Sequence, residues 1–375
     1  LGKRGNGEGT ITRRKNGGWM AQYVVHTVEG RKRKTIYGKT RKEVAKKLAK
    51  ALSDREGGLI FDAGGQTVGE YLDRWLADSV KGSVKPRTFE SYEWLVRRHI
   101  VPSLGRVKLA SLNAAHLQGL YRSKLEVGLS PRTVRYIHAV MHRALKQALR
   151  WGLVPRNVSE AVDPPKPQRE EIKPLSRDEA RRLLEVARGD RLEALYVLAV
   201  HCGLRQGELL GLRWEDIDLD AATLQVRRAL TTAKDGPRFV IPKTAKSRRT
   251  VRLNRRAVEA LRCHHDRQFE ESTVLADEWR DYGLVFATTT GTPINPRNLT
   301  GRSFKPLLKQ AGLPNIRFHD LRHTCATLLL GSGVHPKLVQ ELLGHATIAI
   351  TLDTYSHVLP GMGDQAANAM ETALE

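Results

Sequence analysis

The chain has 375 residues, with 63 Lys and Arg against 40 Asp and Glu and a formal net charge of +23. That length suits two or three domains, and the charge excess points to a polyanionic partner, most often nucleic acid. No apolar run reaches the length of a membrane span, the N-terminus shows no signal-peptide core, and the widely spaced Cys202, Cys263 and Cys325 exclude a disulfide framework or a zinc knuckle, so a reducing cytosol is expected.

The chain begins at Leu1 instead of Met, which leaves room for a short preceding piece. Its charge is uneven. Residues 1–65 hold 16 basic and 6 acidic side chains, whereas residues 173–375 hold 29 and 24. The front is therefore where a grip on a phosphate backbone is expected.

Residues 9–37 read as three strands. Thr10 to Arg14 leads to Asn16-Gly17, a hairpin signal. Trp19 to Thr27 alternates and is rich in aromatic and β-branched residues. After a turn at Glu29-Gly30, Arg31 to Tyr37 returns and opens on four consecutive basic residues, Arg31, Lys32, Arg33 and Lys34. Thr40 and Glu43 form a capping box for a helix to about Leu52, with Val44, Leu48 and Leu52 inward. A small three-stranded β-sheet plus helix is expected over residues 1–62. Such a sheet fits a major groove, with Arg13, Arg14, Arg31, Lys32, Arg33 and Lys34 as candidate DNA contacts. The plain alternative for the last four is an edge strand kept basic against aggregation. Gly57-Gly58 and Gly64-Gly65 mark a linker.

Residues 66–165 read as an all-α module. Thr67 and Glu70 cap a helix with Tyr71, Leu72, Trp75 and Leu76 inward. Further helices are expected over Pro86 to Arg98 and Ala114 to Leu125. Another starts at Ser130-Pro131, carries Val134, Ile137, Met141, Leu145 and Leu149 inward, and ends at Gly152. Arg132, Arg135, Arg143 and Lys146 lie off that stripe, as a DNA-facing flank or a solvated face. The proline-rich stretch from Asp163 to Pro174 is a linker.

Residues 173–375 form the third module. Ser176 and Glu179 cap its first helix, and Leu192 to Cys202 reads as a buried helix. Gly203-Leu204 then presents Arg205 ahead of a helix with Glu208, Leu209 and Leu212. A strand is expected over Thr223 to Arg228 and a hairpin over Phe239 to Leu253, with Lys243 and Lys246 near its tip. An exposed ammonium there suits proton delivery to a leaving oxygen.

The stretch 317–357 gathers His319, Arg322, His345 and Tyr355. Phe318, Leu321, Cys325, Leu328 and Leu329 mark a helix that Gly331 and Gly333 end. His335-Pro336 opens a second helix, with Val339, Leu342 and Leu343, that Gly344 stops. A guanidinium offers a fork of donors to phosphate oxygens. Imidazole donates hydrogen bonds or moves protons near neutral pH. A tyrosine hydroxyl is a weak nucleophile that needs such neighbours. A rival chemistry is a helical zinc pair at His319 and His323, but Asp320 stands where Glu is usual and no clear third ligand follows, so no metal is expected. After Pro360, Ala366, Ala369, Met370 and Ala373 make a weak helical stripe that docks on a neighbouring protomer, packs on its own domain, or frays.

Four strings in order, GLRQGELLGLRWEDID, PKTAKSRRTV, HDLRHTCATLLL and LLGHATIAITLDTYSH, resemble the catalytic domain of the tyrosine recombinases, nearest to the integrases of phages and integrative elements. The basic front resembles their arm-binding domain and the middle helices their core-binding domain. The resemblance implies a multidomain fold with a mainly α (α+β) catalytic domain. It implies a site-specific recombinase that integrates or excises a mobile element through a 3′-phosphotyrosyl intermediate. Tyr355 matches the nucleophile, Arg205 and Arg322 the paired arginines, His319 and His345 the two histidine positions, Lys243 the hairpin lysine with Lys246 as competitor, and Glu208 an acidic support of the first arginine. His319 is then the candidate base for the phenol. Ala346 and Ala349 depart from the serines usual there, without replacing a catalytic group. The resemblance further implies no metal or nucleotide cofactor, duplex DNA with core and arm sites as partner, a homotetramer on DNA with room for a host bending or directionality factor, and the bacterial cytoplasm. A type IB topoisomerase, or a DNA-binding protein without catalysis, is the alternative reading.

Overall fold

Short-range chemistry decides where most elements start. In the computed structural model the described residues are 9–27, 30–56, 65–168, 172–233, 236–241, 248–355, 370–372 and 374, and for 25–27, 30–32, 54–56 and 233 the backbone alone is described. The chain divides into two compact units, Leu1–Arg169 and Glu170–Glu375.

The first unit opens with an antiparallel sheet, β1 (Thr10–Arg13), β2 (Trp19–Thr27) and β3 (Gly30–Gly38), in the order β1-β2-β3. Gly17, at φ +82°, takes the left-handed position of the first turn. Strand alternation sends Ile11, Ala21, Tyr23 and Ile36 to one face. There they meet Val44, Leu48 and Leu52 of α1 (Arg41–Glu56), a helix-period stripe. The Thr40 hydroxyl accepts from the Glu43 N–H at 3.2 Å, and the Glu43 carboxylate accepts from the Lys39 N–H at 2.9 Å.

The remainder of this unit is helical: α2 (Val68–Trp75), α3 (Pro86–Leu95), α4 (Val101–Leu104), α5 (Ala114–Glu126) and α6 (Pro131–Arg150). A wider turn at Val96–Ile100 carries α3 on into α4, past the end expected near Arg98. The Thr67–Glu70 box caps α2, and the Ser130 hydroxyl caps α6 ahead of Pro131. α6 buries Val134, Ile137, Met141, Ala144 and Leu145 against Tyr71, Trp75, Ile100 and Leu117.

The second unit holds α7 (Arg177–Val186), α8 (Glu193–His201), α9 (Gln206–Leu210), β4 (Ile217–Asp218), β5 (Thr223–Val226), β6 (Ala229–Ala233), β7 (Gly236–Val240), β8 (Arg249–Arg252), α10 (Arg255–Leu275), α11 (Pro296–Asn298), α12 (Lys305–Gln310), α13 (Asp320–Gly331), α14 (Pro336–Leu343) and α15 (Ile348–Tyr355). α8 is apolar on every side and buried between α10 and α13. The strands form two sheets, β4-β5-β8 and β6-β7.

The hairpin expected over Phe239 to Leu253 is not made. β7 pairs with β6, while β8 pairs with β5, where Val251 faces Leu224, both buried. Core burial of that pair outweighs the shorter connection. Lys243 and Lys246, in the chain joining β7 to β8, lie outside the described residues, as do Ala366, Ala369 and Ala373 of the C-terminal stripe. Among the described residues no helix is long and apolar enough to cross a membrane.

Candidate active site

A helix C-terminus leaves its last carbonyls without partners inside the helix and carries the negative end of the helix dipole. α14 stops at Gly344, whose φ of +66° is the left-handed cap that glycine favours. Three successive carbonyls there each accept from a guanidinium. Leu342 accepts from Arg249 Nε at 2.6 Å, Leu343 from Arg322 Nη2 at 2.6 Å, and Gly344 from Arg205 Nη2 at 3.4 Å. The arginines arrive from β8, from α13 and from the residue that begins α9.

Glu208 lies beneath two of them and is 4% exposed. Its carboxylate accepts from Arg205 Nη1 at 2.6 Å, from the Arg205 backbone N–H at 3.0 Å and from Arg249 Nη2 at 3.0 Å. Burial pushes its pKa up, but Arg249 and then Arg205 reverse this, and the group sits below the usual carboxylate range. Arg322 donates its other arm to the Gly203 carbonyl at 2.8 Å. Gly203 has φ +60°, and a Cβ there would stand 2.6 Å from Leu343 Cδ2 and 3.2 Å from Cys325 Sγ, so only glycine allows this approach. Loss of hydration, then the nearby Arg205 charge, pulls the 2%-exposed Arg322 down to about 9, still cationic at neutral pH.

The histidines border this cluster. His319, at the cap of α13, has an edge in solvent, yet its pKa is pushed down to about 4 by partial removal from water, then by His323, Arg322 and Arg205. His345 directly follows the Gly344 cap. Its Nδ1 is 2.9 Å from Thr351 Oγ1, and its carbonyl accepts from Gln340 Nε2 at 2.6 Å. Removal from water, then Arg322 and Arg205, brings it also to about 4. Both rings are therefore neutral at pH 7, suited to hydrogen bonding.

Tyr355 ends α15 and packs with Ala326, Leu330, Val339 and Leu343. It is 2% exposed, and its hydroxyl is 2.7 Å from His323 Nδ1. Burial raises the phenol to about 12, while Arg322 pulls the other way.

Of the residues singled out in the sequence, Arg205, Arg322, His319, His345, Tyr355 and Glu208 are thus drawn to one place, linked by shared bonds or by mutual charge effects. Arg249 and the partnership of His323 with Tyr355 were not anticipated. Arg249 had a signal: it is two residues from Val251 in a strand, so it shares the inward face. His319 and His323 have ring centroids 5.1 Å apart. Among the described residues no group of three or more His, Cys, Asp or Glu could hold a metal ion.

The candidate DNA contacts divide by position. Arg13, Arg14 and Arg33 are exposed, Lys34 is half-buried, and the Arg14 guanidinium stacks 4.8 Å from the Tyr37 ring centroid. Arg31 and Lys32 pair through their backbones with His26 and Val25, and their side chains lie outside the description. Arg132, Arg135, Arg143 and Lys146 all face solvent on α6. Arg143 also donates to the Tyr92 hydroxyl at 3.4 Å and lies over its ring.

The span 173–361, which contains the whole cluster, matches the Phage integrase family. The chain belongs to that family. Residues 67–125 match the N-terminal SAM-like domain of phage integrases. This integrase-family chain is 36% identical to the tyrosine recombinase XerC-like protein of Caldanaerobacter subterraneus subsp. tengcongensis, over 91% of each chain. It is 33% identical to an integrase of Streptomyces ambofaciens, over 85% of this chain and 83% of that one. The fold is also that of solved integrases. A Tn1549 transposon integrase in complex with transposon right end DNA superposes with a TM-score of 0.70 at 23% identity, over 83% of this chain and all of that one. A lambda integrase dimer bound to a COC′ core site gives 0.58 at 19% identity, over 94% and 95%. The integrase-family chain is a tyrosine-type site-specific recombinase.

Proposed function

We propose that this recombinase cleaves and rejoins duplex DNA through Tyr355, forming a 3′-phosphotyrosyl bond and a free 5′-hydroxyl, and so integrates or excises a mobile element. The observation that carries the reading is the convergence of a buried tyrosine with Arg322, Arg205 and two neutral histidines at the end of one helix. Tyr355 attacks the scissile phosphorus. Arg205 and Arg322 hold the non-bridging oxygens, where charge builds in the transition state. His319 and His345 add hydrogen bonds, and Glu208 orients Arg205. On the motif match, Lys243 protonates the leaving 5′-oxygen, with Lys246 as its competitor. The phosphotyrosyl bond retains the energy of the phosphodiester, so resealing draws on no nucleotide. The paired guanidiniums take the charge-neutralising role that a metal fills in other phosphoryl transfers.

The working substrate is duplex DNA with core and arm sites. Three modules divide the labour: residues 1–62 on arm sites, 66–165 on core sites, 173–375 for catalysis. Arg13, Arg14, Arg31, Lys32, Arg33 and Lys34 serve the first, and Arg132, Arg135, Arg143 and Lys146 the second. Recombining two sites takes four protomers, as in a lambda integrase tetramer solved on a Holliday junction. The working compartment is the bacterial cytoplasm.

A duplex nicked beside the cleavage position lets the cut fragment diffuse away and traps covalent protein–DNA. The parent is expected to give that species and Tyr355→Phe none. A cross-link in the Phe variant would assign the nucleophile elsewhere. Arg205→Ala is expected to bind DNA almost normally while losing several powers of ten in cleavage. A chelator is expected to change neither rate.

A further inference from the structure

The phenol oxygen of Tyr355 has one hydrogen-bond partner among the described residues, and it is neither an arginine nor His319. It is His323 Nδ1, at 2.7 Å. The two rings lie 5.7 Å apart at 55°, joining α13 to α15 across 32 residues. We propose that His323 is a catalytic residue that takes the phenol proton as Tyr355 attacks; this rests on Tyr355 being the nucleophile.

A phenol held near 12 ionises in only about one molecule in ten thousand at pH 8. Attack therefore needs an acceptor for the proton, and a general base reaches it within about 2.6–3.2 Å. His323 meets that distance. It is faced by His319 at the cap of its own helix, by Asp320 and Arg322 on that helix, by Arg317 just before it, by His345 after α14 and by Tyr355 on α15. Removal from water first, with Arg317 and Arg322 adding to it and Asp320 opposing, keeps the ring below its ordinary value and so free to accept.

The step balances. The Tyr355 oxygen bonds to phosphorus and its proton passes to His323 Nδ1. The bond from phosphorus to the 5′-oxygen breaks, and that oxygen takes a proton from the general acid assigned to Lys243. On rejoining, the incoming 5′-hydroxyl gives its proton back to Lys243 as its oxygen bonds to phosphorus and displaces Tyr355, and His323 returns its proton to the phenolate.

His323→Asn tests this, because the amide occupies the Nδ1 position and still accepts a hydrogen bond but cannot hold a proton. Covalent-complex formation on nicked duplex is expected to fall by about 100-fold or more, with DNA affinity and urea midpoint near those of the parent. The remaining rate should climb with pH up to about 10, as hydroxide replaces the missing base. A 5′-bridging phosphorothiolate, whose thiolate leaves without a proton, should not restore it, whereas it should restore Lys243→Ala. His323→Gln gives a second variant should Asn disturb folding. A folded, DNA-binding variant that cleaves at the parent rate overturns the proposal, and so does full rescue by the phosphorothiolate. If Tyr355→Phe still cross-links, the nucleophile assignment itself has failed. If that variant is dead while the His323 variants are normal, only this inference has.

Discussion

Arg249 donates to Glu208 at 3.0 Å with both side chains almost out of solvent, at 7% and 4% exposure. The same guanidinium holds the Leu342 carbonyl. Arg249 thus fixes the carboxylate that in turn holds Arg205. Arg249→Met should therefore lower stability by about 2 kcal/mol, because Glu208 loses one of its two guanidinium partners and keeps the other, Arg205. The urea midpoint reads this. Cleavage should fall further than DNA binding, as Arg205 loosens.

His319 and His345 give the pH dependence. Both are held neutral, down at about 4 against an unfolded value near 6.5. The unfolded chain takes protons first as pH falls, so stability is full above about 6.5 and drains away towards 4. Urea midpoints measured between pH 7 and 4.5 should drop along that window. His345→Gln should flatten part of the fall.

Tyr355 should titrate in the opposite corner. Its phenol, raised to about 12, stays protonated in the fold when an exposed tyrosine ionises near 10. The folded form binds that proton more tightly, so stability declines as pH rises from about 10 through 12. Ultraviolet titration of the parent against Tyr355→Phe should show one late phenol. The Phe variant itself should lose only about 1 kcal/mol, the hydrogen bond to His323.

Gly203→Ala should be costly at a position remote from the tyrosine in sequence. Its Cβ would enter the space of Leu343 Cδ2 while φ stays at +60°. A loss of about 2 kcal/mol or more is expected from strain and overpacking together. Because the Gly203 carbonyl anchors Arg322, single-turnover cleavage should fall beyond what the remaining folded fraction accounts for.

What could be read from the chain beforehand was local. Thr67 with Glu70, Ser176 with Glu179, and Ser130 ahead of Pro131 announce helix starts because cap and capped N–H lie three residues apart. Arg205, Arg322 and Tyr355 were visible as members of motif strings. The pairing of β8 with β5 was not, because Val251 meets Leu224 only after β6 and β7 have intervened in the sequence and formed a sheet of their own. Arg249 escaped for the same reason: its carboxylate lies 41 residues away. His323 looked like half of a metal pair, since its spacing to His319 is local and its bond to Tyr355 is not.

The end of α14 has a mechanical consequence. Three cations take their bearings from consecutive peptide carbonyls, at Leu342, Leu343 and Gly344, so their mutual spacing is inherited from main-chain geometry, which side-chain replacement elsewhere leaves untouched. The recognition surfaces of such a molecule are then free to drift towards new target sequences while the chemical centre keeps its dimensions. Inserting a single residue ahead of Gly344 would turn that reference by about 100° and scatter all three at once.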